Sequence, residues 1–103
     1  MTTYFVTRHP GAVEWAIGEG IVVDELVAHL DPASVQVGDV VIGTLPVNLA
    51  AEVCARGARY LHLTLELPAV LRGKELAAGD MRALGARIEE YRVERLGSNS
   101  EPL

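Results

Sequence analysis

The chain has 103 residues, of which half are apolar, and a formal net charge of −5 at pH 7. This acidic balance argues against broad binding to long nucleic acids, which needs a basic face, but it allows a small phosphorylated ligand held by local cations. No apolar run approaches the ~20 residues that span a bilayer, and we expect neither a signal peptide nor a membrane partner. The single cysteine, Cys54, excludes an internal disulfide and is typical of a cytoplasmic protein.

The first predicted element is a short strand that ends in charged residues. Residues 4–7 combine aromatic and β-branched side chains, and Arg8 and His9 follow them directly. Pro10 and Gly11 end this strand, and the apolar spacing after them predicts a helix with Pro10 in its first turn. The N–H groups of such a strand-to-helix turn favour an anion, so the stretch predicts a phosphate site. Its candidate residues are Thr7, Arg8, His9, Pro10 and Gly11.

The middle of the chain contains a weak strand and then a strong one. We predict the weak strand at about residues 24–29, and we interpret His29 beside Asp31 as part of a surface turn. Residues 40–44 are apolar up to Thr44, as in a strand covered on both faces. A helix follows, with Pro46 near its start and Gly57 as its stop. Its sheet-facing stripe is predicted to contain Val47, Ala50, Ala51 and Cys54.

The turn after the strong strand repeats the arrangement of the first turn, with a threonine at the strand end and a proline soon after. In an open α/β sheet, ligands bind outside the carboxyl ends of the strands, so two such turns on neighbouring strands would face one crevice. Gly43 would let a ligand approach the backbone, and Thr44 and Asn48 would hydrogen-bond to it. Alternatively, Thr44 caps the helix and Asn48 is solvated. The candidates of this turn are Gly43, Thr44, Leu45 and Asn48.

The last third of the chain predicts a strand, a loop and a helix. Residues 59–65 alternate, with leucines on one face and His62 on the other, where we interpret His62 as a packed residue with a satisfied ring. Arg72 and Lys74 then put two cations on a loop, either as a lid over an anion or as solvated charges. Asp80 is predicted as the N-cap of the last helix. The buried stripe of that helix is predicted to contain Met81, Leu84, Ile88 and Tyr91.

Two reactions could use the cluster around Arg8 and His9. The three histidines lack the spacing of metal ligands, so we expect neither a metal ion nor a cofactor. In one reaction His9 takes a phosphoryl group, since residues 6–9 resemble the Arg-His-Gly opening of histidine phosphatases, although no histidine follows His62. In the other, an RNA 2′-hydroxyl attacks its own 3′-phosphate. Arg8 would then stabilise the charge on the phosphorus oxygens, and His9 would move a proton.

Several short motifs, in order, carry a resemblance that spans residues 3–96. They are VTRHPGA at 6–12, EW at 14–15, HLD at 29–31, GD at 38–39, VIGTLPV at 41–47, LAA at 49–51, RG at 56–57 and YLHL at 60–63. With them the chain resembles the small CRISPR-associated Csx-type proteins found beside type III systems. The resemblance implies a compact Rossmann-like α/β fold, related to the CARF domains that bind cyclic oligoadenylates. The fold class is thus a three-layer sandwich with a mostly parallel sheet.

The same resemblance implies a homodimer with ring nuclease activity on cyclic tetra-adenylate (cA4), the second messenger of type III CRISPR defence. Cleavage of the ring would switch the response off in the prokaryotic cytoplasm. The alternative is a non-catalytic protein that binds and sequesters the ring. We expect residues 1–96 to form a single domain and residues 97–103 a flexible tail. Residues 91–96 are predicted either to end the last helix or to form an edge strand that pairs across a dimer.

Overall fold

Strands and helices alternate along the chain in the computed structural model, which describes residues 1–66, 73 and 75–97. Within these residues there are five strands, three α-helices and one 3₁₀ turn at Pro32–Ser34. The strands are β1 (Thr3–Val6), β2 (Glu25–Val27), β3 (Val40–Gly43), β4 (Arg59–Thr64) and β5 (Arg87–Tyr91). The helices are α1 (Pro10–Gly18), α2 (Val47–Ala55) and α3 (Ala78–Ala83).

The strands form one sheet in the order β2-β1-β3-β4-β5. β1 pairs in parallel with β2 and β3, and β3 pairs in parallel with β4, whereas β5 is antiparallel to β4. The predicted α/β class with a mostly parallel sheet is therefore confirmed. Because β1 lies between β2 and β3, the strand order reverses between β1 and β3, and a crevice is expected at their carboxyl ends.

Apolar side chains cover both faces of the sheet, each against different helices. On one face α1 and α3 pack with Trp15 and Met81 against Phe5 of β1. On the other face α2 packs with Val53, which is 0% exposed, against the sheet. The alternation predicted for residues 59–65 is confirmed, because Leu63 belongs to the first cluster and Tyr60 to the second. The sheet is thus the middle of three layers.

The buried stripe of α2 differs from the predicted one. Ala50 is buried as predicted, but Val47 is 73% exposed. The helix begins only at Val47, after Pro46, so this side chain lies in the first turn at the edge of the sheet. Val53 takes the buried position instead. The prediction for Val47 was therefore wrong.

The last helix is shorter than predicted, and a strand replaces its second half. α3 ends at Ala83, and Gly85 follows with a φ of 72°, a left-handed conformation that stops a helix. Ile88 and Tyr91, predicted on the helix stripe, lie on β5 instead. Residues 92–97 form neither helix nor strand, so the edge strand ends at Tyr91, the first residue of the stretch predicted for it.

Asp80 does not occupy the N-cap position of α3. It is the third residue of the helix, and its Oδ2 accepts a hydrogen bond of 3.0 Å from the N–H of Ala77, which is the N-cap residue. The carboxylate therefore still stabilises the start of the helix, but from inside its first turn.

Asp39 is a buried carboxylate that joins the loop before β3 to the start of the chain. Its oxygens accept hydrogen bonds of 2.9 Å each from the N–H groups of Gln36 and Thr2, and these bonds lower the pKa of Asp39. The ionised form therefore stabilises the fold above the unfolded-state pKa of about 3.9, and this contribution is lost as the pH falls through the lower folded-state value.

The variant Asp39→Asn is expected to unfold at lower urea concentration than wild type at pH 7, because an amide NH₂ would face one of the two N–H donors. The difference in midpoint is expected to shrink at pH 3, since the wild type then loses its own carboxylate contribution. Urea titrations followed by Trp15 fluorescence measure both midpoints. The exposed Glu94→Gln is the charge-matched control, and equal midpoints for Asp39→Asn and this control at pH 7 would contradict the prediction.

Candidate functional site

A cavity of about 1110 Å³ lies at the carboxyl edge of the sheet. Residues that follow β1, β2, β3 and β4 all contribute to its wall, and Leu76 and Met81 close it from the side of α3. Its volume is slightly above the range for small-molecule sites, which is about 300–1,000 Å³. Among the described residues, its polar and charged side chains are Thr7, Arg8, His9, His29, Thr44 and Glu75.

The turn between β1 and α1 exposes Arg8 and His9 to this cavity. The N–H of Thr7 donates 3.0 Å to the carbonyl of Val27, so pairing with β2 continues one residue beyond β1. The chain then bends, because the N–H of His9 donates 3.1 Å to Oγ1 of Thr7. His9 is the extended N-cap residue of α1, with Pro10 as its first residue. Arg8 is exposed and forms no ion pair within residues 1–66, 73 and 75–97.

Two side chains, Thr44 of the turn itself and Tyr60 of β4, join the turn between β3 and α2 to β4. Thr44 donates through Oγ1 to the carbonyl of Leu63 at 3.1 Å, so it does not cap the helix. The N–H of Leu45 donates to the hydroxyl of Tyr60 at 2.9 Å. The N-cap position of α2 is Pro46, which offers no side-chain cap. The alternative role predicted for Thr44 is therefore wrong, and its hydroxyl joins the turn to β4.

The structure brings five of the predicted site residues to the cavity wall and places four others, Pro10, Gly11, Gly43 and Asn48, outside it. Gly43 is buried, and a Cβ built on it would lie 2.9 Å from the carbonyl oxygen of Val6, so its missing side chain makes room for β1. Asn48 is exposed and lies outside the cavity wall. Pro10 and Gly11 line a second, smaller cavity of about 380 Å³. The residues brought together are Thr7, Arg8, His9, Thr44 and Leu45; Arg72 and Lys74 lie outside the described residues.

His62 is held by Tyr60 and does not line the cavity. The Tyr60 hydroxyl lies 2.6 Å from Nδ1 of His62 and 3.2 Å from the carbonyl oxygen of Gly43. The His62 ring also meets Tyr91 edge to face, with ring centroids 5.8 Å apart. Burial raises the pKa of Tyr60, so its hydroxyl keeps its proton at neutral pH. The ring of His62 thus has a partner, as predicted.

The variant Tyr60→Phe is expected to lose about 1–2 kcal/mol of unfolding free energy, because the N–H of Leu45 would be left without its acceptor. Urea unfolding at pH 7 measures the loss. Tyr91→Phe is the matched control, since the Tyr91 hydroxyl forms no hydrogen bond within the described part of the chain. Equal free energies for the two variants would show that the hydroxyl does not hold the turn.

His29 is a cavity residue that the sequence interpretation treated only as part of a surface turn. It is exposed, as expected, but Ala28, His29 and Leu30 form the wall of the cavity beyond β2. Only the pairing of β2 with β1 reveals this role, because it places His29 at the same edge of the sheet as His9. Glu75, which was not a candidate, also lines the cavity.

Comparison with known proteins identifies the family. A family model described as "Putative CRISPR-associated protein (Cas_VVA1548)" matches residues 4–94, from β1 to beyond β5. Neither a search of curated proteins nor a search of solved structures found a match. No helix within the described residues is long and apolar enough to cross a membrane. Since the match spans most of its length, the chain belongs to this CRISPR-associated family.

Proposed function

We propose that the protein is a ring nuclease that binds and cleaves cA4 and so switches off type III CRISPR signalling in the prokaryotic cytoplasm. The observation that carries the proposal is the cavity at the carboxyl ends of β1 and β3, whose wall contains Arg8, His9 and Thr44. Membership of a CRISPR-associated family supports a ligand from that defence system. Cyclic oligoadenylate is such a ligand, and its phosphodiesters need a cation in a chain whose net charge is −5.

The proposed reaction uses a nucleophile that belongs to the substrate. A ribose 2′-oxygen forms a bond to the adjacent phosphorus, the bond from phosphorus to the 5′-oxygen breaks, and a 2′,3′-cyclic phosphate and a 5′-hydroxyl result. Arg8 stabilises the charge that grows on the non-bridging oxygens, as a planar donor that keeps its proton. His9 moves a proton to or from a reacting oxygen. Holding the three reacting atoms in line is the other contribution of the site, and none of these steps requires a metal ion.

The other cavity residues are suited to nucleosides. The Thr7 hydroxyl accepts from the N–H of His9 and can still donate to phosphate or ribose, whereas the Thr44 hydroxyl donates to Leu63 and can accept from a ribose hydroxyl. Apolar side chains from four elements fill the wall between the polar ones, as expected for a site that accepts a planar base. Those apolar residues include Val6, Leu30, Leu45, Leu49, Leu63 and Leu65.

A homodimer would match the symmetry of the ligand. A ring of four identical nucleotides contains a two-fold axis, and an isologous dimer has the same symmetry. Two cavities related by this axis would act on opposite linkages, and two Arg8 side chains would face one ring. Cleavage at both linkages would convert cA4 into two linear di-adenylates.

Incubation of the protein with radiolabelled cA4 in the presence of EDTA tests the proposal. We expect linear di-adenylate that ends in a 2′,3′-cyclic phosphate, identified by chromatography and mass spectrometry. Quantitative recovery of the intact ring together with tight binding would replace the nuclease with the sequestering alternative. Recovery of the intact ring without binding would exclude cA4 as the ligand.

A further inference from the structure

We propose that His9 and His29 form an acid–base pair at the edge of the cavity where β1 and β2 end, in which one imidazole accepts the 2′-hydroxyl proton and the other protonates the 5′-oxygen. This inference rests on the proposed function, and it adds to it a second residue for proton transfer, His29. Attack by a 2′-hydroxyl requires two proton transfers at two different oxygens. A single imidazole at the β1 turn would have to reach both of them.

The pairing of β1 with β2 places the two histidines at one edge of the sheet. Val6 is in register with Val27, and the hydrogen bond from Thr7 to Val27 continues the pairing to the end of both strands. His29 follows Val27 by two residues, just as Arg8 follows Val6, and His9 is the next residue after Arg8. Both histidines line the same cavity, on neighbouring walls. The third histidine, His62, lies outside that wall and is bonded to Tyr60.

Both imidazoles are available for proton transfer. Each side chain is exposed, and neither ring has a hydrogen-bond partner among the residues that the structure describes. The carboxylate of Asp31, two residues after His29, accepts a hydrogen bond of 3.0 Å from the N–H of Ala33 and none from His29. Imidazole is the side chain that enzymes use most often for general acid–base catalysis.

Two other charged residues line the described wall. Arg8 stabilises charge but does not transfer protons, because a guanidinium is not an acid or base at physiological pH. Glu75 lines the cavity from the segment before α3, and it also lines the second cavity with Pro10 and Gly11, next to the turn that carries His9. The titratable and charged groups that face the two imidazoles within the described wall are thus Arg8 and Glu75, with Asp31 on the element of His29 itself.

The proton balance of the step is complete without another reactant. The neutral imidazole takes the proton of the 2′-hydroxyl as the bond from O2′ to phosphorus forms. The imidazolium gives its proton to O5′ as the bond from phosphorus to O5′ breaks. After one cleavage the two rings have exchanged their protonation states, and proton exchange with water restores them.

Three histidine variants test the pair in the cA4 assay. His29→Ala and His9→Ala are each expected to lower the cleavage rate about 10²–10⁴-fold, the usual contribution of general acid–base catalysis. His62→Gln is the matched control and is expected to cleave at close to the wild-type rate. His29→Gln, which keeps hydrogen-bonding groups but cannot transfer a proton, is expected to be as slow as His29→Ala. Circular dichroism shows whether each variant is folded.

A modified substrate separates proton transfer from structural support. In cA4 with sulfur in place of the 5′-bridging oxygen, the leaving group departs without protonation. One of the variants His9→Ala and His29→Ala, the one that lacks the acid, is then expected to recover most of its rate, whereas the other stays slow. The wild-type pH–rate profile is expected to be bell-shaped, and each variant to lose one limb.

The outcomes distinguish this inference from the proposed function. If the wild type leaves cA4 intact, the ring nuclease proposal fails and takes the acid–base pair with it. If the wild type cleaves the ring and His29→Ala or His29→Gln does so at the same rate, only the role of His29 is overturned. Recovery of both alanine variants, or of neither, with the sulfur substrate would also overturn the pair while leaving the nuclease in place.

Discussion

The variant Arg8→Ala is expected to cleave cA4 about 10²–10³-fold more slowly than the wild type, the cost of removing one donor to the charge of a transition state. Arg8 lies on the turn after β1 and lines the cavity. Its side chain is exposed, so its loss is expected to leave the fold unchanged. The effect should therefore be on the rate of the chemical step, with the urea midpoint preserved.

Two further variants make this test specific. Arg8→Lys keeps the charge but loses the planar fork, so its rate is expected to lie between those of Arg8→Ala and wild type. Arg56→Ala removes the same charge at the carboxyl end of α2, the end of the helix away from the cavity. Its ion pair with Glu52, at 3.7 Å, is exposed and contributes little to stability. If Arg8→Ala and Arg56→Ala cleave at equal rates, Arg8 is not part of the site.

The variant Gly11→Ala is expected to lose about 3 kcal/mol of unfolding free energy, at the upper end of the usual cost of overpacking. A Cβ on Gly11 would lie 1.8 Å from the carbonyl oxygen of Leu76 and 3.0 Å from Cα of Ala77. Both neighbouring atoms belong to the backbone, so no side-chain rotation relieves the clash. The N-terminus of α1 and the segment before α3 would have to separate, and this segment also lines the cavity.

Gly79→Ala is the matched control for this effect. Gly79 lies in α3, and a Cβ built on it meets no atom within 4 Å. Alanine at such a helical position is expected to stabilise the protein, by up to about 1 kcal/mol. Urea titrations followed by Trp15 fluorescence give both free energies. The close approach of Gly11 to Leu76 would have no energetic role if the two variants were equally stable.

The turns at Thr7 and Thr44 could be predicted from the sequence because their signals are local. A β-branched strand that ends in threonine, followed by a proline, indicates a strand-to-helix turn without knowledge of any distant residue. Since the carboxyl ends of parallel strands share one edge, these signals also located the crevice. The sheet order, which makes β1 and β3 neighbours, came only from the structure.

Other features depend on distant contacts that the sequence does not reveal. The spacing of Met81, Leu84, Ile88 and Tyr91 fits one helical stripe, but β5 pairs with β4 after the left-handed turn at Gly85. His29 reaches the cavity only because β2 pairs with β1. Gly11 was predicted as a residue of the phosphate site, and its small size admits the backbone of Leu76.

The two outer strands limit how copies of this protein can associate. β2 has only three residues, and β5 carries Arg87, Glu89 and Glu90 among its five. Edge strands that are short or charged discourage the addition of a further strand to the sheet. Glu90 is also held by Arg59 of the adjacent strand through contacts of 2.7 and 3.0 Å. If the protein forms the proposed homodimer, the two chains are therefore expected to associate through their cavity openings, with one ring between them, and not through a continuous ten-stranded sheet.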